Sequence, residues 1–295
     1  KYSVDLLAAI NGSPTQGFGY TTLMTNNGKM VNRGVEITLS GEIIRQKDFS
    51  WNASLLYAFN RNKVKHISVQ PSLWDSRISM PTSYPMVGKP LYGIYAYKWA
   101  GLNENGDPQV YDAENNVTSG PARDYHALVY CGTTVPIHNA SLTNVLRYKG
   151  FEFSAMLILD AGHKLRSSNI PSINMSNGRI TSTAKGIVDR WTQPGDVTDV
   201  PRLLFSNDTE NFNTHRTELY RYSDLFVYDA SNIRLSNISL AYRVPAHWCK
   251  KISLSGARLQ FNVENVATFA FDSKANYDLG GKVKPNYVWG LYLNF

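Results

Sequence analysis

The sequence predicts an all-β fold whose strands stand between lipid on one side and water on the other. Three observations carry that prediction: an alternating strip that ends the chain, the return of the same alternation in paired segments, and connections that are alternately short and long. The strip is YVWGLYLNF, residues 287–295. Read with a period of two, Tyr287, Trp289, Leu291, Leu293 and Phe295 share one face, while Val288, Gly290, Tyr292 and Asn294 share the other. Aliphatics fill the middle of the first face and aromatics both of its ends. A strand crossing a bilayer at a tilt needs about 9–11 residues, with aromatic girdles at the two interfaces. A buried sandwich strand alternates in the same way, so one strand does not decide between them.

Taken from the start, KYSVDLLAAI reads as the end of a strand. With no initiator Met and no apolar leader behind Lys1, it is expected to open a C-terminal piece of a longer chain. In GVEITLSGEII, Val35, Ile37, Leu39 and Ile43 fall on the face of Gly41, and Glu36, Thr38, Ser40 and Glu42 on the other. Past a polar turn, Trp51, Ala53, Leu55, Tyr57 and Phe59 alternate in WNASLLYAFN, which makes a hairpin. ASLTNVLRYKG and FEFSAMLILDAG form a second pair joined at Lys149–Gly150. Phe151, Phe153, Ala155, Leu157, Leu159 and Ala161 give it one wholly apolar face. SNISLAYRVP and ARLQFNVEN form a third pair, in which Leu259, Phe261 and Val263 oppose Arg258, Gln260, Asn262 and Glu264. So polar a second face suits a water-filled lumen or a solvated sheet.

Short turns are expected near 45–49, 149–150 and 245–253, and long connections over 61–90, 101–139 and 162–232. A membrane barrel has short turns at one rim and long loops at the other. Loops beyond about 12–15 residues are uncommon in compact soluble domains. The pattern therefore favours the membrane barrel.

The bulk numbers narrow the function classes. The 295 residues are 43% hydrophobic and only 18% charged, and no apolar run reaches the ~18 residues of a membrane helix. Net charge is +7, but Lys and Arg are scattered, so no nucleic-acid partner is expected. Cys131 and Cys249 have no metal-type spacing and are read either as two thiols or as one disulfide. The six histidines form no HExxH or His/Cys cluster, and no serine sits in a GxSxG setting. No metal, no cofactor and no enzymatic activity are expected. NENGDPQVYD lacks the ligand order of a calcium loop and reads as a Gly-Asp-Pro turn.

At this point a series of motifs becomes recognisable. GKMVNRGVEITLSGEIIRQKDFSWNASLLYAFNRNKV resembles a barrel hairpin of the SusC/RagA-type TonB-dependent outer-membrane transporters. GKPLYGIYAYKWAGLNENGDPQVYD, NASLTNVLRYKGFEFSAMLILDAGHKL, DRWTQPGDVTDVPRL, YDASNIRLSNISLAYRVP, LQFNVENVATFAFDSKANYDLG and the terminal YVWGLYLNF resemble successive segments of the same family. The resemblance implies that residues 1–295 are the C-terminal portion of a 22-stranded antiparallel transmembrane β-barrel with short periplasmic turns and long extracellular loops. About ten strands are expected here, one of them the strand led by the GKPL of GKPLYGIYAYKWAGLNENGDPQVYD. The plug and the TonB box would lie upstream of Lys1. The implied partners are a SusD-type surface lipoprotein lid, the remainder of the same transporter, TonB through that upstream part, and outer-membrane lipid. The implied function is active import of a large nutrient, an oligosaccharide more often than a peptide. The alternatives are a stand-alone porin or adhesin without a plug, and a soluble glycan-binding β protein.

The candidate contacts for substrate or lid are loop residues. Trp74, Tyr84, Tyr111 and Tyr125 either stack on sugar rings or are plain exposed loop or girdle aromatics, the second reading being favoured for each taken singly. Arg190, Trp191, Asp196 and Arg202, together with Asp199, either order the DRWTQPGDVTDVPRL loop by charge-assisted bonds or touch the lid or cargo, with ordering favoured.

Overall fold

Eight long strands hydrogen-bond in chain order in a single meander: β1 (Tyr2–Asn11), β2 (Thr22–Arg45), β3 (Phe49–Ile67), β4 (His138–Tyr148), β5 (Phe151–Ala161), β6 (Asn232–Arg243), β7 (Gly256–Ala270) and β8 (Asn286–Asn294). The computed structural model describes residues 2–11, 22–67, 76–120, 124–176, 179–180, 184–205, 215–280 and 284–295. The chain divides into two compact units. The first comprises Lys1–Asn32, Asn62–Val135 and Lys164–Tyr228; the second comprises Arg33–Arg61, Pro136–His163 and Asp229–Phe295.

The second unit is a wall of strands. Its register carries the alternation across the sheet, so that side chains of like polarity meet in rows. One row runs Trp51, Leu146, Phe153, Leu240, Phe261, Trp289. The next toward the turns runs Phe49, Tyr148, Phe151, Tyr242, Leu259, Leu291. Rows of the opposite face are mostly polar, as in Asn52, Ser154, Ser239 and Asn262, which share their row with Val145 and Val288. On that face Glu152 takes Arg147 at 2.8 Å and Arg258 at 3.2 Å, and Asp160 takes Arg234 at 2.9 Å. The apolar face is left open, with Trp289 at 78% exposure and Leu39, Phe151, Leu259 and Leu291 also exposed. Soluble monomers rarely expose contiguous apolar patches of more than a few hundred Å². No helix among the described residues is long and apolar enough to cross a membrane, which has no bearing on strands.

The phase of β6 breaks partway along. Ile233 and Leu235 are odd-numbered, whereas Ile238, Leu240 and Tyr242 are even-numbered. A one-residue slip of that kind would turn half of the apolar side chains to the wrong face. The ladder absorbs it at Ser236: Leu157 pairs with Leu235 and Met156 with Asn237. β7 shifts at the same level, where Leu235 meets Ala267, Asn237 meets Glu264, and Asn265 takes a φ of 53°. The bulge keeps both halves of the strand on one face.

The connections β2–β3, β4–β5 and β6–β7 leave one end of the sheet, and those between β3–β4, β5–β6 and β7–β8 leave the other. At the first end only the segment 244–255 exceeds three residues, and it carries the short helix Ala246–Lys250. The long connections differ from expectation. Gly93–Tyr97 is no wall strand; it pairs with Leu128–Thr133 in a separate two-stranded sheet. Gly93–Tyr97 is buried on both faces, so it shows none of the alternation of a wall strand. β3 therefore neighbours β4 directly across a single connection. YSVDLLAAI, from Tyr2, likewise forms most of a whole strand, β1, paired with the first part of β2.

Candidate functional site

The loop segments of the first unit pack on a core of Tyr95, Tyr97, Val110, Ala127, Leu128 and Leu219, beside a second group of Ile173, Tyr220 and Phe226. Four of these nine are aromatic, and they supply much of the buried area, since each ring contributes roughly 150–250 Å². Arg166 knits the loops by donating to the carbonyls of Tyr95 (2.7 Å), Arg221 and Ser223 (3.3 Å each). Burial lowers the pKa of its guanidinium. Cys131 is half-buried nearby, and burial together with Asp224 pushes its thiol up to about 11, which makes it a weak nucleophile. No disulfide links it to Cys249.

The charge centre of this unit is Asp107, in the Gly-Asp-Pro turn. Asn103 Oδ1 accepts the amides of Asn105 and Asp107, closing an Asx turn that aims the Asp107 carboxylate inward. Arg202 binds it in a fork, Nε to Oδ1 at 3.1 Å and Nη2 to Oδ2 at 2.9 Å. Arg216 Nε reaches Oδ1 at 2.6 Å, and the rest of its guanidinium donates to the carbonyls of Arg202 and Ile173. Arg216 is 1% exposed, and burial lowers its pKa while Asp107 opposes that. A buried arginine needs this saturation, because an unpaired charge there is strongly destabilising.

The same turn touches the Arg-Trp loop. Arg202 N donates to Gly106 O at 3.0 Å. A Cβ on Gly106 would stand 2.4 Å from the Trp191 ring, and its φ is 73°. Asp199 accepts Trp99 Nε1 at 3.0 Å, and Asp196 Oδ2 accepts Thr192 N, Thr192 Oγ1 and Gln193 N. Those three donors hold the Asp196 carboxyl below its usual range. The two loops bound an open cleft of about 650 Å³, lined by Asn103, Glu104, Asn105, Trp191, Asp196 and Thr198, among others. An indole, two carboxylates and two carboxamides around one cleft can stack on a ring and hydrogen-bond hydroxyl or amide groups. No group of three or more His, Cys, Asp or Glu able to hold a metal occurs among the described residues.

The candidate residues read from the sequence separate in position. Trp191 and Asp196 line the cleft, and Arg202 is the Asp107 partner behind it. Arg190 donates to Ile187 O at 3.4 Å within its own segment. Tyr111 lies under Lys98 Nζ at 4.6 Å, and Tyr125 under the Arg77 guanidinium at 4.8 Å. Tyr84 is 8% exposed, and its carbonyl accepts Arg77 Nε. Trp74 lies outside the described residues. Sequence reasoning missed Asp107 as the hub, although its turn was recognised. It also missed Arg216, which nothing in HRTELY marks.

No protein-family profile matches the chain. Two curated relatives are the TonB-dependent receptor P3 of Formosa agariphila and the TonB-dependent receptor SusC of Bacteroides thetaiotaomicron. The first is 24% identical over 92% of this chain and 28% of that protein. The second is 22% identical over 84% of this chain and 24% of that protein. The chain thus spans about a quarter of the length of the relatives it matches. Among solved structures, that of the RagAB peptide transporter aligns with a TM-score of 0.73 at 22% identity, over 100% of this chain and 32% of that one. The RagAB importer in its "closed-closed" state aligns with a TM-score of 0.71. The relatives are TonB-dependent receptors similar over most of this chain, in line with the resemblance, and the fold is that of the matching part of RagAB.

Proposed function

We propose that this chain, similar over most of its length to SusC/RagA-type TonB-dependent receptors, is barrel wall and loops of an active importer in a bacterial outer membrane. One observation carries the reading: the wall has an exposed apolar face, Leu39 to Leu291, backed by a face bearing the ion pairs of Glu152 and Asp160. Lipid tails satisfy the first face and a watery lumen the second. Within lipid, β1 and β8 need partners for their backbone groups. We assign those partners to further strands of the same 22-stranded barrel, with a plug inside it, TonB as energy source and a SusD-type lipoprotein as lid. The chain performs no bond chemistry in this scheme; its loops receive the cargo.

For the cargo we propose an oligosaccharide, held at the cleft by Trp191 stacking and by Asn103, Asn105, Glu104 and Asp196 as hydrogen-bonding groups. The test is to purify the intact complex from envelopes and identify the co-purifying ligand by mass spectrometry, then measure uptake by whole cells. An oligosaccharide should co-purify, and Trp191→Ala should weaken its binding about tenfold while Trp191→Phe largely retains it. A co-purifying peptide would overturn the cargo assignment alone. Uptake that persists after TonB is disabled would overturn active import.

A further inference from the structure

The rim of the wall that carries the short turns joins aromatic side chains to exposed cations. On the apolar face, the row nearest this rim holds Phe49, Tyr148, Phe151 and Tyr242, with the Phe151 and Tyr242 rings 4.5 Å apart. Lys149, at a φ of 51° in the tight β4–β5 turn, lays its Nζ 5.3 Å from the centre of the Tyr148 ring. That places an ammonium group beside the apolar face rather than in the lumen. Arg45, the last residue of β2, pairs with Glu42 at 3.4 Å, and in the β2–β3 connection Lys47 is exposed. In the β6–β7 connection the buried Cys249 pins the helix Ala246–Lys250 down and leaves Trp248, at 55% exposure, beside exposed Lys250, Lys251 and Ile252. At the same rim Arg147 and Arg258 are matched by Glu152.

An aromatic belt with a ring of lysines just outside it matches one kind of surface. The rings sit at the level of the ester groups and the ammonium groups reach the phosphates. Zwitterionic headgroups offer each phosphate with its own cation, whereas anionic headgroups leave it for the protein. We propose that this rim, through Lys47, Lys149, Lys250 and Lys251 with Tyr148 and Trp248, binds anionic phospholipid headgroups of the adjoining leaflet. The proposal rests on the reading of the wall as membrane-spanning.

The experiment uses the intact transporter, stripped of lipid in a non-ionic detergent and titrated with phosphatidylglycerol or phosphatidylcholine of the same chains, bound lipid being counted by native mass spectrometry. Phosphatidylglycerol should bind at least fivefold more tightly. In Lys149→Gln/Lys250→Gln/Lys251→Gln, its affinity should fall roughly fivefold for each lysine removed, while the Lys→Arg triple variant keeps it. Equal binding of the two lipids by the unaltered protein overturns the proposal without any variant. So does a Gln triple variant that folds and retains the preference. If millimolar inorganic phosphate displaces the lipid, the site is one for free phosphate and the lipid assignment fails. A protein that stays dispersed without detergent overturns the membrane reading itself, an outcome distinct from a membrane protein lacking lipid preference.

Discussion

Asp107 and Arg216 meet at 2.6 Å across 109 residues of chain, and Arg202 grips the same carboxylate from a third segment. Three stretches of loop that share no strand ladder at this point are thereby fixed to one side chain. Around Arg216 the attraction is strong but largely offset by the cost of desolvating both charges, whereas disrupting the pair leaves a buried guanidinium uncompensated.

Asp107→Asn is therefore expected to destabilise the loop unit by about 3–5 kcal/mol. Amides that report on it, such as Arg202 and Leu219, should exchange faster, while the amides of β5 and β6 keep their protection. Uniform exchange in the variant and the parent protein would show that the carboxylate is not the hub.

Gly106 tests the same junction from its backbone. A methyl group there strains a φ of 73° and meets the Trp191 ring. Gly106→Ala should cost about 1–3 kcal/mol from the backbone alone, with the ring clash added. It should also shift the fluorescence of Trp191 as the indole is displaced. An unchanged emission spectrum and melting temperature would contradict the contact.

The wall predicts an asymmetry between faces. Leu291→Lys or Leu157→Lys should destabilise the protein in bilayers by about 2–4 kcal/mol if the site is at midplane. Asn262→Lys, on the polar face, should be nearly neutral. Equilibrium unfolding from lipid vesicles measures both, and equal effects on the two faces would sink the membrane reading.

His163, just past β5, is buried, and its Nδ1 finds no hydrogen-bond partner among the described residues. Burial lowers its pKa, although Asp160 and Asp229 pull the other way. The unfolded chain then binds the proton more readily than the folded one. Stability should be level above an unfolded pKa of about 6.5 and decline as pH falls below it. His163→Gln should flatten that decline in a melting series from pH 7.5 to 5.5. A decline of the same slope in the variant would assign it to other groups.

The wall was legible because a strand between two solvents writes its environment into alternate residues. Val35 to Phe59, Phe151 to Ala161 and Tyr287 to Phe295 each announce both faces. Even the bulge at Ser236 is visible as a phase break between Leu235 and Ile238. The segment 93–97 misled, because a strand buried on both sides loses its period and keeps only its β-forming residues. The cleft was half legible. Trp191 and Asp196 stood out by composition and lie in it, and Asp196 accepts three bonds from its own loop, whereas the acid that pairs with Arg202 is Asp107, far outside that loop in sequence.

The alternation, the face each wall residue takes, the ends from which long and short connections leave, and the resemblance to SusC/RagA-type transporters are all readable from the residues alone. That Asp107, Arg202 and Arg216 converge, that Gly106 must be bare for Trp191, and that 93–97 leaves the wall emerges with the folded chain. Strand periodicity is a local record of solvent, repeated every second residue, whereas an ion pair between residues 109 apart leaves no trace in either neighbourhood until the chain has folded.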